Sequence, residues 1–302
     1  MKEITDYDKV FETLVQKTQD YLVRNNLSAM VLGISGGIDS TVVAAICREV
    51  SDYTGIPLIG RSLPTKFNKE GETTTADLVG KAFCDDYKVF DINQAYFSYL
   101  LQIKLREEYE PSEYPVTNGN IQARLRMIYL YNLASIHKGI VMDTDNLTEN
   151  NLGYFTVHGD VGDFNPIGGL WKTEVFKLAE YLIDYYRMTS QIDKSIAMFN
   201  SWSLKPTAGL GITDSDLDEI GAESYEQVDS ILQEILAWKW LSLFSRGDRY
   251  DSIWDMRNAF LEEQQMLNIP IEVIIAVTDR HFKSEFKREQ LPIKITRDEI
   301  LL

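Results

Sequence analysis

The chain has 302 residues, 44% of them hydrophobic and 25% charged, an ordinary globular composition that excludes extensive disorder. That length suffices for one large core, or for a core plus an extension. The formal charge of −16 opposes broad nucleic-acid binding and docking on anionic membranes, because both need a positive face. Cys47 and Cys84 form no C-x-x-C pair and no metal-type cluster with His137, His158 or His281, so they read as packed thiols in a reducing compartment. The start M-K-E-I-T-D-Y-D-K-V lacks the apolar stretch of a signal peptide, and no apolar run reaches membrane-spanning length. A cytoplasmic protein without membrane segments is expected.

Residues 6–25 place Val10, Phe11, Leu14, Val15 and Leu22 at helical spacing. An apolar strand follows at Met30-Val31-Leu32. It turns at Gly33, Gly36 and Gly37 and opens a helix that buries Val42, Val43, Ala45 and Ile46. A second strand starts at Ile56 and ends near Arg61–Pro64. Residues 70–84 read as a helix with Ala76, Leu78, Val79 and Phe83 inward. Lys88–Ile92 is a short third strand, 93–108 a helix, and Tyr109–Thr117, with two prolines, a loop. Asn118–Asn120 introduces a helix to about Lys138 with Ile121, Leu125, Ile128, Leu133 and Ile136 on its apolar side. Gly139 ends it, and Ile140–Met142 is a fourth strand.

Strand and helix thus alternate through the first half, which predicts an α/β fold: a doubly wound parallel sheet with helices on both faces. Beyond residue 170 the reading is mainly helical: Trp171–Arg187, then 224–244, 251–266 and 269–284, with a Gly/Pro/Thr-rich loop at Leu204–Asp214. The expectation is one domain over 1–302 with a helical C-terminal extension at about 224–284. Its Trp238, Trp240 and Trp254 suit either an extra helical pair packed on the core or a subunit interface.

Ligands of such sheets bind beyond the carboxyl ends of the strands. The first tip reads S-G-G-I-D-S, Ser35 to Ser40. Its turn lets backbone N–H groups and a helix N-terminus converge on an anion. Asp39 would repel a phosphate unless a cation lay between them. The fourth tip offers Asp143, Asp145 and Glu149, and two loops each giving a carboxylate to one Mg²⁺ is a usual pattern for a nucleotide metal. The loop spacing is neither G-x-x-x-x-G-K-[ST] nor G-x-G-x-x-G. It resembles the S-G-G-x-D-S loop of the ATP pyrophosphatase families, which transfer AMP to an oxygen of their substrate.

Longer segments sharpen the resemblance. The chain carries D-T-D-N-L-T-E (143–149), G-Y-F-T-V-H-G-D (153–160) and N-P-I-G-G-L-W-K-T-E-V (165–175). It also carries G-N-I-Q-A-R-L-R-M (119–127), K-P-T-A-G-L (205–210) and S-E-F-K-R (284–288). In that order they resemble the NAD⁺ synthetase family. The resemblance implies ATP-dependent amidation of deamido-NAD⁺ by ammonia through an adenylated carboxylate, in a homodimer. It implies Mg²⁺ on Asp39 and Glu149, and ATP on Gly33, Ser35, Gly36, Gly37, Asp39, Ser40, Thr144, Lys172 and Thr207. Arg124, Asp163 and Lys287 would contact deamido-NAD⁺, and Asp39, Lys172 and Glu149 would serve catalysis. Arg126 reads equally as a helix-surface ion pair and is not assigned.

Three positions depart from the family pattern. Val157 replaces a lysine, Phe286 replaces a histidine (with His281 nearby), and Asp143 replaces a glycine. The first two bear on the acceptor rather than on ATP; Asp143 is expected to join the metal shell. Glutamine use would need an amino-terminal glutaminase domain, for which the stretch ahead of Met30 has no room, so free ammonia is expected. Two alternatives stand beside this reading: an ATP pyrophosphatase acting on another carboxylate or acceptor, and a nucleotide-binding regulator without turnover.

Overall fold

The computed structural model describes residues 3–107, 110–205, 216–246, 249–263, 268–288, 293–294 and 297–300. The chain begins with α1 (Tyr7–Arg24), capped by Asp6, whose carboxylate accepts from Lys9 N at 3.1 Å. Then come β1 (Met30–Gly33), α2 (Ile38–Thr54), β2 (Leu58–Ser62), α3 (Glu70–Phe83) and β3 (Asp86–Val89). α4 (Asn93–Arg106), α5 (Pro115–Ile136), β4 (Ile140–Val141) and α6 (Leu147–Leu152) follow. β5 (Phe164–Asn165), α7 (Lys172–Met188) and α8 (Ile192–Ser203) complete the α/β part. The extension holds α9 (Asp216–Ile220), α10 (Tyr225–Trp240), α11 (Ile253–Glu263), α12 (Ile271–Lys283) and α13 (Glu285–Arg288). Past Trp240 the coil widens into a π-helical turn, Leu241–Arg246. Near the end lie β6 (Ile293–Lys294), parallel to β5, and α14 (Arg297–Ile300).

The main sheet is parallel, in the order β3-β2-β1-β4. Strand alternation sends Met30 and Leu32 to one face and Val31 to the other. On the first face they meet α1, α2, α3, α7 and α8 through residues such as Leu14, Val43, Val79, Leu178 and Met198. On the second, Val31, Ile59 and Val141 pack under Met127, Leu130 and Ala134 of α5. Helices therefore cover both faces, as the alternation predicts. The extension encloses its own apolar cluster of Ile231, Ile235, Trp238, Phe260, Val277 and Phe282, joined by Leu152 and Trp171 from the α/β part.

Several local expectations need correction. α5 begins at Pro115, within the expected loop, because proline's fixed φ and missing N–H suit the first helical position. Its sheet-facing stripe is Met127, Leu130 and Ala134, while Ile128 and Ile136 are 67% and 66% exposed. The helix is apolar on more than one side, so periodicity alone did not single out the buried face. Leu78 likewise points outward on α3. β3 starts two residues earlier than expected, because Arg61 of β2 holds Asp86 at 2.7 Å. α8 was not foreseen. Trp238 is buried, whereas Trp240 and Trp254 lie at the surface. Most of the expected Leu204–Asp214 loop lies outside the described residues.

The fold aims the first strand tip at a crowded position. Gly36 has φ +88°, and a Cβ there would lie 2.4 Å from Glu72 O and 2.8 Å from Ala76 N. Gly55 has φ +72° but open space around it. Gly36→Ala should therefore destabilise clearly more than Gly55→Ala, which costs only the backbone term of about 1–3 kcal/mol; urea unfolding of both variants measures the difference.

Candidate active site

β1 hands the chain to the loop through Ile34 N, which donates to Arg61 O at 2.8 Å. Gly37 caps α2, and its N–H donates to Ser35 Oγ at 3.1 Å, while Ser40 Oγ bonds Ser35 Oγ and Gly37 O at 3.0 Å. Ser201 of α8 donates to Gly36 O at 2.8 Å, so this helix buttresses the loop from outside. The result is a turn whose serines lie folded on its own backbone above the N-terminus of a long helix, a cradle for an anion.

Asp39 projects from the first turn of α2. Asn146 and Glu149 come from the β4 tip through a reciprocal cap on α6: Glu149 N donates to Asn146 Oδ1 at 3.0 Å, and Asn146 N to Glu149 Oε2 at 3.2 Å. Asn146 Nδ2 then donates to Asp39 Oδ1 at 2.8 Å. Between the carboxylates lies the ammonium of Lys172, 2.6 Å from Asp39 Oδ2 and 2.9 Å from Glu149 Oε1. Lys172 is 2% exposed. Burial alone would lower its pKa, but the two carboxylates outweigh that and hold it well above the ordinary lysine value. Lys172 N donates to Thr148 Oγ1 at 2.8 Å, and Thr148 donates to the buried Asp229 of α10. The extension thereby anchors the lysine's own backbone.

These groups line one end of a cavity of about 700 Å³. Its wall takes in Gly33, Ser35, Gly37, Asp39, Ser40, Thr144, Glu149 and Lys172 at this end. Gly153–Thr156, Asp160, Arg280 and Lys287 line the rest, with Asn120 and Arg126 of α5. Lys287 Nζ donates to the carbonyls of Gly153 and Phe155, both at 2.7 Å. At the rim Arg280 lies 3.6 Å over the Tyr154 ring and bonds Glu219 at 2.7 Å.

The assembly of the expected residues is uneven. The loop residues, Asp39, Ser40, Thr144, Glu149, Lys172 and Lys287 converge on one cavity. Gly36 supports the loop without lining it. Arg124 stays on the exposed side of α5, donating to Val157 O at 3.2 Å. Asp163 is used structurally: it accepts from Val141 N at 3.0 Å and from Tyr131 Oη at 3.1 Å, and neither Arg124 nor Asp163 lines the cavity. Thr207 lies outside the described residues. Phe286 is 64% exposed and His281 is buried against Asn151 O, and among the described residues no imidazole lines the cavity. Asp143 does not line the cavity. It is 1% exposed, and its Oδ1 accepts from Asp145 N at 2.9 Å. Arg126, read as a possible surface ion pair, is part-buried in the cavity wall. Asn120, Tyr154 and Asp160 stand in the quoted motifs without a role; Glu219 and Arg280 carry no signal, because their place at the cavity depends on the extension folding back.

The carboxylates of Asp39 and Glu149, from different strand tips, converge on a single cationic atom, as a shared metal would require. Among the described residues no group of three or more His, Cys, Asp or Glu side chains could hold a metal by itself. Two carboxylates with the remaining ligands from a nucleotide is a donor set that suits Mg²⁺.

Sequence comparison decides the family. A family model described as NAD synthase matches residues 10–291. The chain belongs to the NAD synthase family. It is 30% identical over 300 residues to the NH(3)-dependent NAD(+) synthetase of Pyrococcus horikoshii, covering 99% of this chain and 98% of that one. The Methanocaldococcus jannaschii protein of the same name is 30% identical over 295 residues, covering 97% and 96%. Among solved structures, the NMN synthetase from Francisella tularensis superposes with a TM-score of 0.70 at 26% identity, over 94% of this chain and 97% of that one. The NH3-dependent NAD synthetase from Campylobacter jejuni shares the fold, with a TM-score of 0.63 at 23% identity over 94% and 96%.

Asp145 and Asp160 line the cavity, and Asp143 lies buried behind Asp145. Burial pushes Asp143 up to about 7, and among the described residues its Oδ2 has no hydrogen-bond partner. A carboxyl whose folded pKa exceeds its unfolded value loses stability as pH rises from about 4 through the folded pKa. Thermal stability should therefore fall between pH 5 and pH 7.5. Asp143→Asn should flatten that slope and raise the melting temperature at pH 8 by roughly 2–6 °C; a calorimetric pH series measures both.

Proposed function

We propose that this chain joins ammonia to the nicotinate carboxylate of deamido-NAD⁺ at the expense of ATP, giving NAD⁺, AMP and pyrophosphate. The observation that carries the reading is Lys172 held between Asp39 and Glu149 beside the phosphate loop, in a cavity that continues to Lys287. In the first step a carboxylate oxygen of the acceptor attacks the α-phosphorus of ATP. The new O–P bond forms as the bond to the β-phosphate bridging oxygen breaks, and pyrophosphate leaves with the electron pair. Ammonia then attacks the activated carbonyl; the C–O bond to AMP breaks and one proton is released.

The first step brings two anions together, so its barrier is largely electrostatic. The loop N–H groups and the N-terminus of α2 would receive the leaving pyrophosphate. Lys172 would follow the charge onto it, exchanging one carboxylate contact for a phosphate oxygen. Asp39 and Glu149 would hold a Mg²⁺, which would supply further charge neutralisation there. Ser35 and Ser40 orient the turn and need not be nucleophiles, since among the described residues they bond each other and Gly37 rather than a base. Lys287, fixed to two loop carbonyls, would meet the acceptor. Thr207 is assigned to ATP by motif, and Arg124 and Asp163 to the acceptor. The chain would form one α/β domain over 1–302 with a helical extension at about 224–284. A cytoplasmic location fits; no helix among the described residues is long and apolar enough to cross a membrane.

Arg124 reaches the exposed side of α5, where a partner subunit would complete the acceptor pocket. α4 exposes Phe97, Leu101 and Leu105 at one-turn spacing, and α5 exposes Val116, Ile128 and Ile136. So much uncovered apolar surface on adjacent helices favours a homodimer through this face. Ile128→Glu should shift the chain from dimer to monomer in light scattering and weaken acceptor binding more than ATP binding.

Incubation with ATP, Mg²⁺, ammonium and deamido-NAD⁺ should yield NAD⁺ and AMP in equal amounts, and Asp39→Ala should abolish both. Two further arms discriminate. The mononucleotide carboxylate whose amidation gives NMN tests the acceptor suggested by the Francisella likeness; turnover with it alone would replace deamido-NAD⁺ and spare the chemistry. Absence of AMP with every acceptor would favour a nucleotide-binding regulator.

A further inference from the structure

Arg126 lines the cavity from α5, one turn above the Leu130 side chain that packs beneath Gly33. Its Nε donates to Leu63 O at 3.1 Å and its Nη2 to Asn68 Oδ1 at 3.3 Å. Asn68 is itself held, since its Nδ2 donates to Glu72 Oε2 at 3.1 Å and its Oδ1 accepts from Thr65 N at 2.9 Å. The guanidinium is thus oriented by neutral oxygens. Among the described residues it forms no ion pair, whereas Lys172 has two and Arg280 has Glu219. The carboxylates that attract it from a distance are Asp160 and Glu72. They stand on opposite sides: Glu72 belongs to the turn of α3 packed against Gly36 of the phosphate loop, and Asp160 to the loop that carries Gly153–Thr156. A part-buried cation without a counter-ion is costly unless a ligand supplies one.

We infer that Arg126 is a further catalytic residue, the cation that faces the α-phosphoryl group as it passes from pyrophosphate to the acceptor carboxylate. This rests on the adenylation reading above and adds a residue to it. Lys172 serves the leaving end of the cavity and Lys287 the acceptor end. Between them the transferred group gains a fifth oxygen contact and spreads its charge over the equatorial oxygens. A planar fork fits two of those oxygens at once, which a lysine ammonium does not. The two bonds already made leave the remaining N–H groups for the ligand, with the orientation set before it arrives.

The test uses the full chain and the acceptor that supports turnover in the assay above. Acceptor-dependent exchange of labelled pyrophosphate into ATP reports the adenylation step alone. Arg126→Met should lower its kcat by about 100-fold or more, with the KM for ATP and for acceptor each changed by less than about threefold. Arg126→Lys, which keeps the charge and loses the fork, should fall between the two, roughly tenfold below wild type. A wild-type kcat in Arg126→Met, or a loss confined to KM, would overturn the inference. If Arg126→Met does not fold, Arg126→Lys decides alone, and a wild-type kcat in it overturns the proposal. A wild-type chain that makes no AMP with any acceptor would remove the adenylation reading itself, and this inference with it; wild-type turnover with an indifferent Arg126 removes this inference only.

Discussion

The buried contact of Lys172 with Asp39 and Glu149 is the constraint on which the site depends. Each of the three groups would be costly alone in so enclosed a place, and together they satisfy one another. Each also comes from a different part of the chain. Asp39 rides on the helix after β1, Glu149 on the short helix after β4, and Lys172 on the first turn of α7. Neighbouring strand tips must therefore be in register for the contact to exist. β1 pairs with β4 in parallel, Met30 opposite Ile140 and Val31 opposite Val141, and that pairing sets the two carboxylate loops side by side.

The extension is tied to the same contact. Asp229 of α10 accepts from Thr173 N and Thr173 Oγ1 at 3.1 and 2.8 Å and receives the Thr148 hydroxyl. Burial pushes its carboxyl up to about 6 despite those three donors. Leu152 and Trp171, which flank the site, are buried in the extension's own apolar cluster. α12 and α13 then bring Arg280 and Lys287 to the cavity wall. The extension thus supplies both the scaffold behind the lysine and the far side of the pocket.

On the proposed reaction the site would separate leaving group from acceptor by the kind of cation each meets. The phosphate end has backbone N–H groups, a helix N-terminus and an ammonium already held by two carboxylates, a contact that can be exchanged as charge moves. The acceptor end has Lys287 on two carbonyls, a cation positioned by neutral groups. With a net charge of −16, any positive charge offered to an anionic ligand has to be gathered locally, as it is at Lys172, Arg126 and Lys287.

Much of this was legible in the chain itself. Apolar runs alternating with 3.6-residue periodicity implied a parallel sheet covered on both faces, and the glycine spacing of the first turn located the anion cradle. Type and spacing sufficed there because strand, turn and helix are contiguous, so local backbone sterics decide the geometry. The motif order also carried the family and the pairing of Asp39 with Glu149. What the sequence could not decide were matters of facing. Arg124 and Arg126 are two residues apart on one helix, and only packing of Met127 and Leu130 against the sheet turned Arg126 into the cavity and Arg124 away from it. Asp143 and Asp145 alternate in the same loop, and the bend at the β4 tip buried the first beneath the site while leaving the second at its wall. That Lys172 sits between the carboxylates, rather than merely near phosphates, required the side-by-side placement of β1 and β4 and the anchoring of α7 by Asp229. Those contacts join residues far apart in the chain, Asp39 with Lys172 and Thr173 with Asp229 among them, and no local pattern encodes a distance between elements that only the folded core brings together.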